Sequence, residues 1–317
     1  MTMRYYELGT TGIQVSAMAL GCMSLTPARE GESRDAVRRA YELGINFFDT
    51  ADVYGRGESE RILGEALQVG AIAREDVVIA SKCAIVFPGM EPDYEYKAYD
   101  LSPTYIKASC EASLKRLGTD YIDLYQLHRI DYLTHPAESA RALEDLQREG
   151  KIRHAGISNY TSDEIRALSS YVRLESLQTQ FSLLFLEPLE RGLAAVCQEK
   201  KMNMLCWSPL HQAVLTGKVG LPHSDWQKQR EAGVVAQLLP FAERYGLSLG
   251  QLALAWLLQL PGGVIPLVGT ANAAHIEEAA AAVDVTLERD DWYELMVIAR
   301  GRPMPWGQRP YAYVKER

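Results

Sequence analysis

The apolar pair Phe47-Phe48 runs into a carboxylate, Asp49, and a phenol, Tyr54, follows five residues later. Two later apolar runs, 77–82 and 122–128, end in Lys82 and His128. If all three runs are strands whose ends open on one cleft, an acid, a phenol, an ammonium and an imidazole meet there. That set moves protons. A phenol releases its proton only near pH 10, too high for a good acid-base group at neutrality, and a nearby ammonium favours the phenolate and brings that value down. Lys82 can supply the charge. A buried ammonium needs a counterion, and Asp49 is placed to be one. His128 would then orient a substrate carbonyl and stabilise the oxyanion that develops on it. Each residue alone has a structural explanation, a packed strand-end histidine or a solvated rim lysine; their succession at strand ends selects the chemical one.

Convergence of this kind requires elements that deliver successive strand ends to one face. Short apolar runs alternate with helical patterns eight times. The strands are predicted at 17–21, 46–49, 77–82, 122–128, 154–158, 176–180, 203–207 and 264–267. The helices are predicted at 33–43, 58–67, 103–117, 138–149, 161–170, 189–200, 249–259 and 272–282. Ser102-Pro103 and Thr161 through Glu164 resemble helix N-terminal caps, and Gly44, Gly118 and Gly150 stand where helices should stop. Eight strand-helix units with short connections predict a closed (β/α)8 TIM barrel forming one domain over 1–317, preceded by a β-hairpin around Thr10-Thr11-Gly12. An open Rossmann sheet would carry GxGxxG after its first strand, and none is present. The two long connections, 83–101 and 208–235, follow strands and so belong to the face where barrel enzymes keep their sites. The last segment, 301–317, with Trp306, Tyr311 and Tyr313, is expected to cover the same mouth.

Composition narrows the function class. A 317-residue chain that is 47% hydrophobic can bury a large core. Its formal charge of −8 argues against general affinity for nucleic acid or an anionic membrane. No apolar run approaches the roughly 18 residues of a membrane span, and the first residues lack the apolar core of a leader. A cytoplasmic protein, a monomer or weak homo-oligomer acting on a small molecule, is the expectation. The five cysteines, Cys22, Cys83, Cys110, Cys197 and Cys206, are scattered and form no CxxC pair, so neither a disulfide framework nor a metal site is predicted.

At this point the sequence resembles the aldo-keto reductase superfamily, from the first hairpin to the eighth helix. The resemblance is carried by Phe48 through Gly55, Ser81-Lys82, Asp120 through His128, and Gly156 through Tyr160. It continues in Gln178 with Phe181 through Leu184, Trp207 through Leu210, and Leu215 through Lys218. It implies a barrel that binds a nicotinamide dinucleotide in extended form and reduces aldehyde or ketone carbonyls, with Asp49, Tyr54, Lys82 and His128 as the catalytic tetrad and Tyr54 as general acid. It places Ser158, Asn159 and Gln178 on the nicotinamide carboxamide, Trp207 under the ring, and Ser208, Leu210 and Lys218 along the pyrophosphate. Gly269 and Thr270 match a segment that wraps the phosphates, with Asn272, His275 and Glu278 at the following helix start. Gly21, Cys22, Met23 and Asp49 complete the cofactor-binding set. NADPH is the cofactor implied. NADH competes, because 272–278 holds no Lys or Arg for a 2′-phosphate and His275 is its only cationic candidate. Met23, Phe87, Tyr54 and Trp207 are expected to line a partly apolar substrate pocket, with further aromatic surface from 94–99 and Trp306, suited to a sugar-derived or aromatic carbonyl compound. Two other classes stay open: a cofactor-binding regulatory subunit without significant turnover, and a Schiff-base or phosphate-binding barrel enzyme using Lys82 as nucleophile, a role that Asp49 opposes.

Overall fold

Period-two alternation sends every second side chain of a strand to one face, and in this protein that face is the inside of a barrel. The computed structural model describes residues 2–88, 97–218 and 225–302. Eight parallel strands, Ala19–Gly21, Phe47–Asp49, Val78–Cys83, Ile122–Leu127, Ile152–Ser158, Ser176–Gln180, Asn203–Trp207 and Val264–Val268, each pair with the next in sequence. The eighth closes on the first through Leu267 opposite Ala19. This is the (β/α)8 barrel that the alternation predicts.

The inward residues are apolar low in the barrel and polar at its C-terminal end. Ala19, Phe47, Val78, Ala80, Leu124, Leu205, Ile265 and Leu267 form one buried interior cluster. Leu8 and Val15 of the N-terminal hairpin, Tyr5–Glu7 paired with Gln14–Ser16, join it and plug the opposite end. Two residues above these interior positions stand Asp49 over Phe47, Lys82 over Ala80 and Gln126 over Leu124, all buried. The outward residues, among them Leu20, Phe48, Ile79 and Tyr125, pack beneath the helices in a second layer of core.

Local chemistry sets the helix ends. Ser102 Oγ accepts from the Tyr105 N–H with Pro103 at the first helical position. Thr161 and Glu164 form a reciprocal capping box. Gly118 ends its helix at φ 65°, a left-handed conformation that costs glycine little.

The helical readings differ from the structure in several places. The segment 189–200 is two helices, Glu187–Glu190 and Leu193–Lys200, because Gly192 takes φ 74° between them. The predicted 272–282 helix is α-helical only over Ala273–Ala280 and tightens to a 3-10 turn over Ala281–Asp284. Two further helices, Asp225–Tyr245 and Arg289–Arg300, escape the reading altogether. The first contains Gly233 and Pro240, and a proline in a helix interior removes a donor, so local preference argues against it. Burial overrides that preference: Val234, Val235, Leu238, Phe241 and Ala242 turn into the core. Arg244 and Tyr245 bind Asp291 of the second helix at 2.6 and 2.7 Å. Within the 83–101 connection, Ile85–Val86 pairs with Ala98–Tyr99 as a small antiparallel ribbon. Tyr94, the middle of that connection, and the 303–317 tail with Trp306, Tyr311 and Tyr313 lie outside the described residues.

Candidate active site

Asp49 ends the second strand, and Lys82 stands two residues above Ala80, its neighbour's partner in register. The offset lets the lysine side chain reach back down to the carboxylate. Lys82 Nζ lies 2.8 Å from Asp49 Oδ2, 2.6 Å from the Thr50 carbonyl oxygen and 3.3 Å from Tyr54 Oη. An ammonium has three donors and no acceptor, so all three are used and the phenol oxygen must accept. The phenol's own hydrogen is therefore left for a different acceptor. Tyr54 opens the 3-10 turn Tyr54–Gly57, in which Gly55, Arg56 and Gly57 all take positive φ. Arg56 at φ 57° pays for that conformation with strain, a pattern that gathers at functional sites.

His128 follows the fourth strand. Its ring meets the Tyr54 ring edge-on, centroids 6.0 Å apart at 84°. Its Nδ1 is buried and has no hydrogen-bond partner among the described residues. Phenol and imidazole thus lie against one another beyond the ends of the second and fourth strands.

The electrostatics correct one expectation. Burial pushes the Tyr54 phenol up, and the Asp49 charge adds to it; the Lys82 ammonium pulls the other way and does not prevail. The net direction is upward, so the ligand-free phenol is held as the acid. Burial would pull Lys82 down, but the Asp49 carboxylate and the Tyr54 oxygen outweigh it and hold the group as ammonium. A protonated amine is a poor nucleophile, which weighs against Schiff-base chemistry. Burial, then the charges of Lys82, Arg129 and Lys97, drive His128 well below the ordinary imidazole range, so it is neutral at pH 7 and able to donate one N–H.

The residues assigned to the cofactor fall into groups. Ser158, Asn159 and Trp207 are wired together: Asn159 Nδ2 donates to Ser158 Oγ at 2.7 Å and to the His128 carbonyl at 3.2 Å, and the Trp207 indole N–H donates to Asn159 Oδ1 at 3.0 Å. Asn159 takes φ 62° to make these bonds. Trp207 packs on the interior cluster yet stays partly exposed, as a stacking platform requires. Gln178 Nε2 donates to Asp49 Oδ1 at 2.7 Å, so it also supports the Asp49–Lys82–Tyr54 group. Beyond Trp207 the backbone turns left-handed at Ser208 and again at His211, Gln212 and Ala213, strain that sequence preferences do not announce. Leu210 is half-buried and Lys218 exposed.

Gly21 and Gly269 abut where the first and eighth strands end, and the space over the Gly269 Cα is open. Met23 is exposed, whereas the Cys22 thiol turns inward to the Leu20 carbonyl. Phe87 is half-buried, with Lys97 Nζ 5.3 Å from its ring centre. Thr270 Oγ1 accepts from the Asn272 N–H and lies 3.4 Å from His275 Nδ1, and Asn272 caps the helix Ala273–Ala280. Glu278 is exposed. Arg39, from the helix Glu30–Glu42, reaches Glu277 at 2.7 Å and Glu42 at 3.0 Å, a cation brought to this helix that local sequence does not reveal.

Gln126 escapes the sequence reading as well. Its Nε2 lies 3.3 Å from Asp49 Oδ1, the oxygen Gln178 also addresses. The signal was present, since Leu124, Gln126 and His128 share one face by alternation.

The family model described as Aldo/keto reductase family matches residues 17–299. The chain belongs to this family. A 6-dehydroglucose reductase of Novosphingobium aromaticivorans is 36% identical over 314 residues, covering 95% of this chain and 97% of the relative. An NADH-specific methylglyoxal reductase of Escherichia coli is 34% identical and covers 91% and 96%. Among solved structures, an aldo-keto reductase of Bacillus halodurans in its holo form superposes with a TM-score of 0.79 at 29% identity, covering 94% of this aldo-keto reductase and 96% of that chain.

Proposed function

We infer that this aldo-keto reductase reduces the carbonyl of a small aldehyde or ketone, with Tyr54 as the proton donor. The observation that carries the reading is the Lys82–Tyr54 hydrogen bond, which fixes the phenol oxygen as acceptor and leaves its hydrogen for the substrate. A carbonyl oxygen placed between Tyr54 Oη and the neutral His128 ring takes a proton from the first and a hydrogen bond from the second. A reduced nicotinamide, when bound, would supply the hydride to the carbonyl carbon. The substrate then gains one hydride and one proton and leaves as the alcohol, and the phenolate left on Tyr54 is paired with the Lys82 ammonium, itself held by Asp49.

The residues present fit the dinucleotide. Trp207 offers a partly exposed aromatic platform, Ser158 and Asn159 stand beside it, and Gly269 leaves room for close approach. NADPH is the reading that the family resemblance supports. NADH is the competing one, favoured by the engagement of Arg39 with Glu277 and by the absence of Lys and Arg from 272–278. The chain is read as one barrel domain over 1–317, and sugar-derived carbonyls are the first substrates to try, given the relative named for 6-dehydroglucose.

The test is fluorescence titration with NADPH and with NADH, then a carbonyl panel that includes 6-dehydroglucose and methylglyoxal, followed by loss of reduced nicotinamide absorbance. Tight binding with turnover supports the reductase. Tight binding with no turnover on any carbonyl overturns it in favour of a regulatory subunit.

A further inference from the structure

We propose that Gln126 is a positioning residue for the reaction, acting with Gln178 as a two-amide clamp on Asp49 Oδ1. The inference rests on the reading of Asp49, Lys82 and Tyr54 as the catalytic group.

Three contacts to the Asp49 carboxylate define the clamp. Gln178 Nε2 donates to Asp49 Oδ1 at 2.7 Å, Gln126 Nε2 donates to the same oxygen at 3.3 Å, and Lys82 Nζ donates to Oδ2 at 2.8 Å. The two amides come from the fourth and the sixth strands, which flank the fifth, and both reach across the barrel interior to Asp49 on the second. Together they fix the plane of the carboxylate, so that Oδ2 points at Lys82 and Lys82 in turn points at Tyr54. Gln126 is fully buried, stands opposite Lys82 in the register of the third and fourth strands, and touches neither Lys82 nor Tyr54 through a hydrogen bond of its own. It acts through Asp49.

Gln126 is also costly to keep. Its Oε1 is buried with no hydrogen-bond partner among the described residues, and an unpaired acceptor in a core is destabilising. The adjoining position on the fifth strand is Gly156, where a Cβ would stand 3.1 Å from Gln126 Cγ and would also meet Ser176 Oγ. The barrel therefore leaves space for a polar side chain where an apolar one of similar volume would fill the layer without an unpaired atom. A half-satisfied amide in this place is explained by what its other half does for Asp49.

The experiment compares Gln126→Met, Gln126→Glu and Tyr54→Phe in the full-length protein, measuring kcat and KM across pH. Gln126→Met keeps the volume and removes the donor. It should lower kcat about tenfold, the equivalent of one hydrogen bond to a charged group, with carbonyl KM unchanged. Combined with Gln178→Met it should be non-additive, since both donors serve one oxygen. Gln126→Glu keeps the shape and supplies an O–H donor only while protonated; two carboxyls sharing a site retain one proton at low pH. Its kcat should approach the parent's at low pH and fall as pH rises, a profile that neither the parent nor Gln126→Met shows. Parental kcat in Gln126→Met, or a Gln126→Glu pH profile parallel to the parent's, overturns the inference while an inactive Tyr54→Phe leaves the functional reading standing. Retained turnover in Tyr54→Phe overturns both.

Discussion

Replacing Tyr54 by Phe tests the mechanism at its narrowest point, because it removes one oxygen and leaves the ring. The structure gives that oxygen one hydrogen bond, accepting from Lys82 Nζ at 3.3 Å while keeping its own hydrogen. Loss of a positioned general acid costs about 10² to 10⁴ in rate, or about 3–5 kcal/mol of transition-state stabilisation. The fold should barely register the change. Lys82 keeps its shorter contacts to Asp49 and to the Thr50 carbonyl, so stability should shift by about 1 kcal/mol or less. Cofactor affinity should also hold, because Trp207, Ser158 and Asn159 bond among themselves and not to Tyr54. The assay is kcat/KM on the best carbonyl of the panel, with cofactor Kd from fluorescence and Tm from a thermal melt. A variant that keeps its rate within about tenfold of the parent refutes Tyr54 as the acid. A variant that loses cofactor binding in step with rate refutes the separation of the two sites.

Three other outcomes follow from the electrostatics. Because burial holds the Tyr54 phenol above its ordinary value, the ligand-free protein should show no loss of this tyrosine's proton below about pH 10; a phenolate absorbance near neutrality that vanishes in Tyr54→Phe would contradict this. Asp52 lies beside the site, its N–H donating to the Lys82 carbonyl and its Oδ2 accepting from Ser109 at 2.8 Å, with Oδ1 unpaired among the described residues; burial and the nearby Glu60 push its carboxyl up to about 7 from 3.8. The folded protein then binds a proton that the unfolded chain has released between those values, so stability falls as pH rises from 3.8 through 7, by up to about 4 kcal/mol. Asp52→Asn should abolish that fall and raise Tm more at pH 8 than at pH 5, and an equal gain at both would sink the argument. Finally, His275→Arg places a permanent cation beside Thr270 and should tighten NADPH over NADH by about tenfold; an unchanged ratio of dissociation constants puts phosphate recognition elsewhere.

Much of this aldo-keto reductase could be read from the chain alone, because the information was periodic or local. Alternation marks which side chains enter the barrel, and strand ends mark which of them reach its mouth, so Asp49, Lys82 and His128 were legible together with the fold. Caps such as Thr161 with Glu164 were legible because both partners lie within one helical turn. What depends on residues distant in sequence was not. The helix Asp225–Tyr245 forms against the local preference of Pro240 because its apolar side finds a core to enter. Gln126 meets Asp49 from 77 positions away and Gln178 from 129, so their common oxygen exists only in the closed barrel. The direction of the Tyr54 shift turned on the same cause. Sequence supplies the lysine that favours phenolate, but only the folded protein sets how deeply the phenol is withdrawn from water, and that withdrawal outweighs the charge. Residue types and their spacing determined which groups would meet; the depth of burial, a property of the whole tertiary structure, decided the protonation state in which they do.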